Sequence, residues 1–331
     1  MEATAVAHPN IALVKYWGKR DQKLNLPAAG SLSVTLAGLS TTTQVQFDEH
    51  LTEDRVTLDG EPLETGRSRR RVVDFLDLVR HAAGFRYKAH VETKNDFPTA
   101  AGLASSASGF AALAVAAASA AGLDWSRRRL SVLARRGSGS AARSLFGGYV
   151  EMKPGTRSDG SDAHAIAIAT EDHWDLRCLI ALTARGKKET GSTRGMLHTQ
   201  ESSPLFESWR QTVPGDIEEA RHCIDDRNFE GLGSIAERSC LRMHATAIGA
   251  DPGILYWNAA TVALIHRIRR ARADGLNCFF TIDAGPHVKA FCLPEQATDL
   301  RSLLTSVDGV ENIISARPGG GAHCTPGPTG Q

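Results

Sequence analysis

The spacing of apolar and polar residues changes period several times along the chain, and each change marks an element. Residues 11–14 are a short unbroken apolar run, as expected for a buried strand. Residues 31–36 alternate strictly, with Leu32, Val34 and Leu36 on one face and Ser31, Ser33 and Thr35 on the other, which predicts a half-buried strand. Residues 41–47 are rich in β-branched side chains and alternate again. Over 67–83 the period becomes helical, with Val72, Phe75, Leu76 and Val79 as the apolar stripe. Residues 89–93 return to a strand pattern. A small-residue turn at 98–108 then runs into an alanine-rich helix with Leu103, Phe110, Leu113 and Ala117 on one face and a stop at Gly122. A second helix spans 127–136 and closes at Gly137.

Beyond Gly147-Gly148 a strand is expected from Tyr149, and the Gly-, Ser- and Asp-rich residues 154–163 read as an exposed loop. Residues 176–184 are an apolar strand. Helices follow at 205–226, 228–243 and 254–273, the last closed by Asp274-Gly275. A β-hairpin is expected from 278–282 and 288–293, turning through Asp283-Ala284-Gly285-Pro286. Strands and helices mix without strict βαβ alternation, so the class is α+β.

Composition narrows this only in part. The 331 residues are enough for two domains, and 42% hydrophobic with 23% charged is an ordinary globular mixture. A net charge of +1 gives no broad field for nucleic acid or an anionic membrane. The local clusters Arg67/Arg69/Arg70/Arg71, Arg127/Arg128/Arg129 and Arg135/Arg136 read as solvated helix faces. The six cysteines include no C-x-x-C pair and are read as reduced thiols of a cytoplasmic protein. No signal-peptide pattern opens the chain, and the alanine-rich stretch 103–123 is too polar for a membrane span. The histidines show no metal-ligand spacing, so no tightly held metal is expected; His8, His244 and His287 read as structural.

Four places can carry chemistry. The stretch from Pro98 to Ser108 combines glycine, hydroxyls and a helix start, a combination suited to phosphate, although an ordinary capped packing helix fits its composition equally well. It lacks the Gly-Lys-Ser/Thr ending of a Walker loop. Gly137-Ser138-Gly139-Ser140, followed by Ala141, Ala142 and Arg143, is either a second anion nest or a flexible link. Lys15 and Lys19 flank Tyr16-Trp17-Gly18 directly after a buried strand, where they either reach a cleft or snorkel at the surface. Asp283 closes an apolar strand; locally a turn-forming aspartate is the simpler reading, and a catalytic base the alternative.

Taken together these segments resemble a known family. The Pro98–Ser108 loop is similar to the phosphate loop of the GHMP kinase superfamily. The run from Asn10 to Asp21, the segment Gly137 to Gly148 with its Arg-Ser-Leu-Phe-Gly-Gly ending, Gly191-Ser192-Thr193 before Gly195-Met196, and Asp283-Ala284-Gly285-Pro286 resemble the diphosphomevalonate decarboxylases, in the same order. The resemblance covers about residues 5–320. It implies a two-domain α+β GHMP kinase fold: a ribosomal-protein-S5-like domain at 1–178 and a GHMP C-terminal domain at 179–325; the tail at 326–331 is expected from its terminal position to be disordered. It implies ATP-dependent decarboxylation of mevalonate 5-diphosphate, with ATP and Mg²⁺, in a homodimer that binds neither nucleic acid nor membrane. Asp283 and Lys15 then correspond to catalytic residues. Tyr16, Trp17, Gly18, Lys19, Arg67, Ser138, Gly139, Ser140, Ala141, Ala142, Arg143, Ser192 and Thr193 correspond to substrate contacts. Pro98, Ala101, Gly102, Leu103, Ala104, Ser105, Ser106 and Ser108 correspond to ATP contacts.

The chain departs from the family pattern at Ala29-Gly30 (commonly Asn-Ser), Asp96 (Asn), His287 (Asn) and Pro318-Gly319-Gly320-Gly321, all expected near the cleft. Mevalonate 5-phosphate is therefore an alternative substrate, and a GHMP kinase without decarboxylation an alternative activity. An S5-like RNA-binding module is a third reading, opposed by the near-neutral charge.

Overall fold

The computed structural model describes residues 1–97, 105–184 and 189–325. Its strands are β1 (Glu2–Ala7), β2 (Asn10–Val14), β3 (Lys19–Asp21), β4 (Leu26–Pro27), β5 (Ser31–Ala37), β6 (Thr41–Asp48), β7 (Arg55–Leu58), β8 (Glu61–Pro62), β9 (Lys88–Asn95), β10 (Tyr149–Met152), β11 (Ala165–Ala169), β12 (Arg177–Leu182), β13 (Cys278–Ile282), β14 (Val288–Cys292), β15 (Asn312–Pro318) and β16 (His323–Cys324). Its helices are α1 (Gly66–Ala83), α2 (Ser105–Ala120), α3 (Arg127–Gly137), α4 (Ala141–Ser144), α5 (Ser192–Ser202), α6 (Phe206–Asp225), α7 (Phe229–Ile248), α8 (Ala259–Ala273) and α9 (Ala297–Thr305).

Two sheets organise the molecule. One runs β16-β1-β6-β9-β7-β8. The other runs β11-β10-β5-β15-β12-β14-β13, with β2 also paired to β5. This second sheet is continuous through both halves of the sequence. β15 reaches across, with Pro318 opposite Leu36 of β5 and Ile314 opposite Ile180 of β12. The expected division at 178/179 falls inside β12, and β16 returns to β1 with Cys324 opposite Ala5. The last strands thus tie the second half to the first.

Local chemistry sets the element ends. Gly84 closes α1 at φ 76°, and Ser126 caps α3 by accepting from the Arg129 N–H. Asn258 and Thr261 form a capping box that starts α8 five residues later than the pattern suggests. Helix α2 is buried nearly all round, because its alanines let it sit between β1, β6, α3 and α4. Among the described residues no helix is long and apolar enough to cross a membrane. All six cysteines are unpaired.

Strand β5 corrects the half-buried reading. Ser31, Ser33 and Thr35 are as buried as Leu32, Val34 and Leu36. The polar face is covered by α4 and the 146–148 turn rather than by water: Thr35 Oγ1 donates to the Phe146 carbonyl at 2.8 Å, and Ser31 and Ser33 accept from Arg143. The basic clusters are likewise not simple solvated faces. Arg135 is 1% exposed and donates to the carbonyls of Gly160 and Ala163, which orders the 154–163 loop. Arg127 donates to the carbonyls of Leu145 and Ala322.

Candidate active site

A cleft of about 1030 Å³ opens between the two sheets' helices and the hairpin turn after β13. That is at the upper limit for one drug-sized ligand, so it has room for more than one small substrate. At its inner end β13 delivers Asp283. Strand β2, Asn10 followed by four apolar residues and buried throughout, delivers Lys15 from the opposite side. Lys15 is itself 1% exposed, and its Nζ lies 2.7 Å from Asp283 Oδ1. Lys289 Nζ, from β14, lies 3.2 Å from Oδ2. Burial pushes the Asp283 carboxyl up, but Lys15 and then Lys289 outweigh it and hold it well below the usual carboxylate range. The group is an anion across the neutral range.

His244, on α7, supports the end of β13. Its Nε2 faces the Ile282 carbonyl at 3.2 Å, and since a carbonyl only accepts, that nitrogen carries the proton. Burial, and next the Lys15 charge, push its pKa down to about 3, so the ring stays neutral.

Arg143 stands beside this centre. The guanidinium donates from Nε to Asn10 Oδ1 (3.1 Å) and Ser33 Oγ (3.0 Å), and from Nη1 to Ser31 Oγ (2.6 Å). Asn10 is fixed in turn, donating to the Ser140 carbonyl at 3.0 Å and Ser144 Oγ at 2.8 Å. Burial pulls the Arg143 pKa down to about 10, opposed by Tyr16 and Asp283, and the group stays charged at neutral pH. Its field couples to Asp283, which places it at the inner end. Tyr16 lies beneath it, 5.8 Å from guanidinium carbon to ring centroid. Burial pushes the Tyr16 phenol up to about 12, so it is a neutral donor, and among the described residues its hydroxyl has no partner. Gly139 is required here, because a Cβ would collide with that hydroxyl.

The outer end is different in kind. Lys19, Arg67, Arg71 and Arg136 line it together with Ser138 and Ser140. Their partners are neutral: Lys19 Nζ donates to Asn25 Oδ1 at 2.5 Å, and Arg71 Nη2 to the Gly137 carbonyl at 2.8 Å. Burial, then Arg71 and Arg67, push the Lys19 pKa down to about 8. Helix α5 begins at the same space, with Gly191, Ser192 and Thr193 on the cleft wall. Ser105 and Ser106 open α2 on the wall, and Ser106 Oγ is 3.4 Å from Ser138 Oγ.

Most sequence-predicted positions therefore meet in one cleft: Asp283, Lys15, Tyr16, Trp17, Lys19, Arg67, Ser138, Gly139, Ser140, Arg143, Ser192, Thr193, Ser105 and Ser106. Gly18 does not line it; at φ 79° it packs against Phe206, whose ring a Cβ would meet at 2.5 Å. Ala141 and Ala142 are fully buried, because α4 turns them into the core. Ser108 is fully buried as well, its hydroxyl 2.6 Å from Thr41 Oγ1. Pro98, Ala101, Gly102, Leu103 and Ala104 lie outside the described residues.

Sequence reasoning missed Lys289, Arg71 and Arg136. A lone lysine inside the apolar run 288–292 was the available signal, since a buried ammonium needs a partner. The departures from the family pattern are not on the cleft wall. Gly30 packs against Ile217 of α6, Asp96 accepts from the Ser40 N–H (2.6 Å) and hydroxyl (2.7 Å), and His287 Nδ1 accepts from the Thr183 N–H at 3.1 Å. Gly319 is stitched into the sheet, donating to the Thr35 carbonyl and accepting from the Gly148 N–H, both at 2.9 Å.

Comparison with known proteins agrees with this arrangement. Residues 7–165 match the diphosphomevalonate decarboxylase-like N-terminal domain, and 178–318 the mevalonate 5-diphosphate decarboxylase C-terminal domain. The chain is 40% identical over 314 residues to the diphosphomevalonate decarboxylase of Homo sapiens, covering 89% of this chain and 78% of that protein. It superposes on the mevalonate diphosphate decarboxylase of Staphylococcus aureus with TM-score 0.92 at 36% identity, covering 98% of each chain. A structure described as MDDEF in complex with MVAPP, AMPPCP and magnesium gives TM-score 0.92 at 40% identity, covering 98% of this chain and 99% of that one. Two domain matches in order, nearly full-length likeness and one cleft that gathers the matching side chains make this chain a member of the diphosphomevalonate decarboxylase family, with the two-domain α+β fold of the GHMP kinases.

Proposed function

We propose that the chain uses ATP to decarboxylate mevalonate 5-diphosphate, giving isopentenyl diphosphate, ADP, phosphate and CO₂. The observation that carries this is the inner cluster: an ionised aspartate gripped by two buried lysines, facing a cleft whose other end is lined by cations that no described carboxylate pairs with.

The outer cations bind the diphosphate, and Arg143 and Tyr16 face the substrate's carboxylate at the inner end. The family resemblance implies that Arg143 contacts the diphosphate; its place over the Tyr16 ring, in the field of Asp283 and on the same cleft wall, favours the carboxylate instead. Asp283 orients the tertiary hydroxyl. It does not strip the proton beforehand: against an alcohol near water's ~15.7, even an ordinary carboxyl near ~3.9 faces a gap of roughly 12 units, or about 16 kcal/mol, and Asp283 is a weaker base still. A loose phosphoryl-transfer transition state needs little prior deprotonation, so the proton reaches Asp283 late, as the oxygen bonds to the γ-phosphorus. The C3–O bond then breaks with the phosphate, and the C1–C2 electrons form the C2=C3 bond as CO₂ leaves.

Mg²⁺ enters with the nucleotide and supplies neutralisation of phosphate charge. Asp283 is held by its lysines, so the ion's oxygen ligands would come from ATP, with the Ser105 and Ser106 hydroxyls on the adjoining wall.

The test is one assay with ATP and either mevalonate 5-diphosphate or mevalonate 5-phosphate. ADP and CO₂ appear one for one with the diphosphate, and far more slowly with the monophosphate, which leaves part of the cationic end unfilled. ADP without CO₂ would return the chain to a plain kinase.

A further inference from the structure

Strand β14 reads Val288-Lys289-Ala290-Phe291-Cys292, and all five residues are buried. Lys289 is 2% exposed at its side chain, and its Nζ lies 3.2 Å from Asp283 Oδ2 and 3.4 Å from the His287 carbonyl. Lys15 takes the other carboxylate oxygen. Lys15 and Asp283 line the cleft; Lys289 does not. Two ammoniums on one carboxylate leave a surplus positive charge in the interior, which costs stability rather than adding to it. An apolar side chain of the same length would fill the space without that charge. Packing alone therefore gives a poor account of a lysine here.

We propose that Lys289 is a positioning residue: it clamps Asp283 from behind the cleft wall, fixes the plane of the carboxylate and keeps it ionised as the substrate's hydroxyl arrives. The inference deepens the decarboxylase reading and rests on it for its kinetic consequences. Lys15 holds the carboxylate down most and Lys289 next, so removing Lys289 weakens that hold while Lys15 remains. Lys15 and Arg143 are cations on the cleft side, and Arg143 keeps its charge up to about pH 10. On α7, His244 is neutral above about 3 and Cys240 is pushed up to about 11, both chiefly by burial. On β12 the Cys178 thiol is pushed up by burial, and His287 Nδ1 accepts from the Thr183 N–H.

The experiment compares Lys289→Met and Lys289→Arg with the unaltered chain. In Lys289→Met, kcat falls at least about 30-fold while both KM values stay within about threefold, as expected for a group that never touches substrate. Its kcat–pH profile loses activity on the acid side at a higher pH, and its melting temperature does not fall. Lys289→Arg keeps the acid limb where the unaltered chain has it. A Lys289→Met variant with an unmoved acid limb overturns the proposal, whether its kcat is kept or is lost together with melting temperature. A second arm needs no turnover: ¹³C NMR of the aspartate carboxyls in the free protein, with Asp283 identified by difference from Asp283→Asn. The Asp283 titration moves to higher pH in Lys289→Met; an unmoved titration overturns the proposal. If the unaltered chain releases no CO₂ from mevalonate 5-diphosphate, the functional reading fails while the NMR arm still decides the role of Lys289.

Discussion

The two ends of the cleft hold similar numbers of charges in opposite ways. At the inner end the carboxylate of Asp283 is gripped by Lys15 and Lys289, while Arg143 is tied to Asn10, Ser31 and Ser33. At the outer end Lys19 and Arg71 bond only to a side-chain amide and a backbone carbonyl, and no described carboxylate pairs with them, Arg67 or Arg136. Preorganised, desolvated charge suits a group that must act on one atom without rearranging. Unpaired, half-exposed cations suit capture of an anion that brings its own charge. The same residue types thus serve chemistry at one end and binding at the other.

Variants at each end break or sharpen that contrast. The largest effect belongs to Asp283→Asn, which removes the base yet keeps the shape: kcat drops by about 10³-fold or more in a steady-state ADP assay. Lys19→Met acts at the other end and raises the KM for mevalonate 5-diphosphate about 10–100-fold, the loss of one charge-assisted hydrogen bond, with kcat nearly kept. A pH titration separates the ends further. Lys19 has its pKa pushed down to about 8, so it loses positive charge as pH rises through that value and anion binding weakens above it. KM should climb by up to about tenfold per unit above pH 8 and flatten in Lys19→Arg, whereas Asp283 is ionised throughout that range. Two smaller effects fall outside the cleft. Gly319→Ala forces a methyl against the Ala37 backbone and should cost about 1–3 kcal/mol in denaturant unfolding, with KM unchanged. Asp96→Asn weakens only its bonds to Ser40 and should cost about 1 kcal/mol.

The sequence carried more of the inner end than of the outer. Asp283 and Lys15 sit at the ends of short apolar strands, and the positions of β2, β13 and β14 follow from runs that only a buried strand would show. Strand β5 was legible as a strand but not as a fully buried one, because Ser31 and Ser33 look solvent-facing until Arg143 is known to lie against them. The outer end was obscured for a related reason. Arg71 and Arg136 belong to runs of arginines on α1 and α3, and spacing along a helix does not say whether its polar face meets water or a cleft. Lys289 was obscured because one polar position in a five-residue buried strand does not show which carboxylate, if any, it meets. The return of β15 and β16 to the first half depends on pairings more than 270 residues apart, such as Pro318 with Leu36, and local pattern carries no trace of them.

The division of labour is tested most directly by calorimetric titration of mevalonate 5-diphosphate into Asp283→Asn. With the outer cations and Arg143 intact, the dissociation constant should lie within about threefold of that for the unaltered chain, while turnover is gone. A loss of binding of about tenfold or more would show that Asp283 holds the substrate as well as acting on it, and would contradict the separation of the two ends.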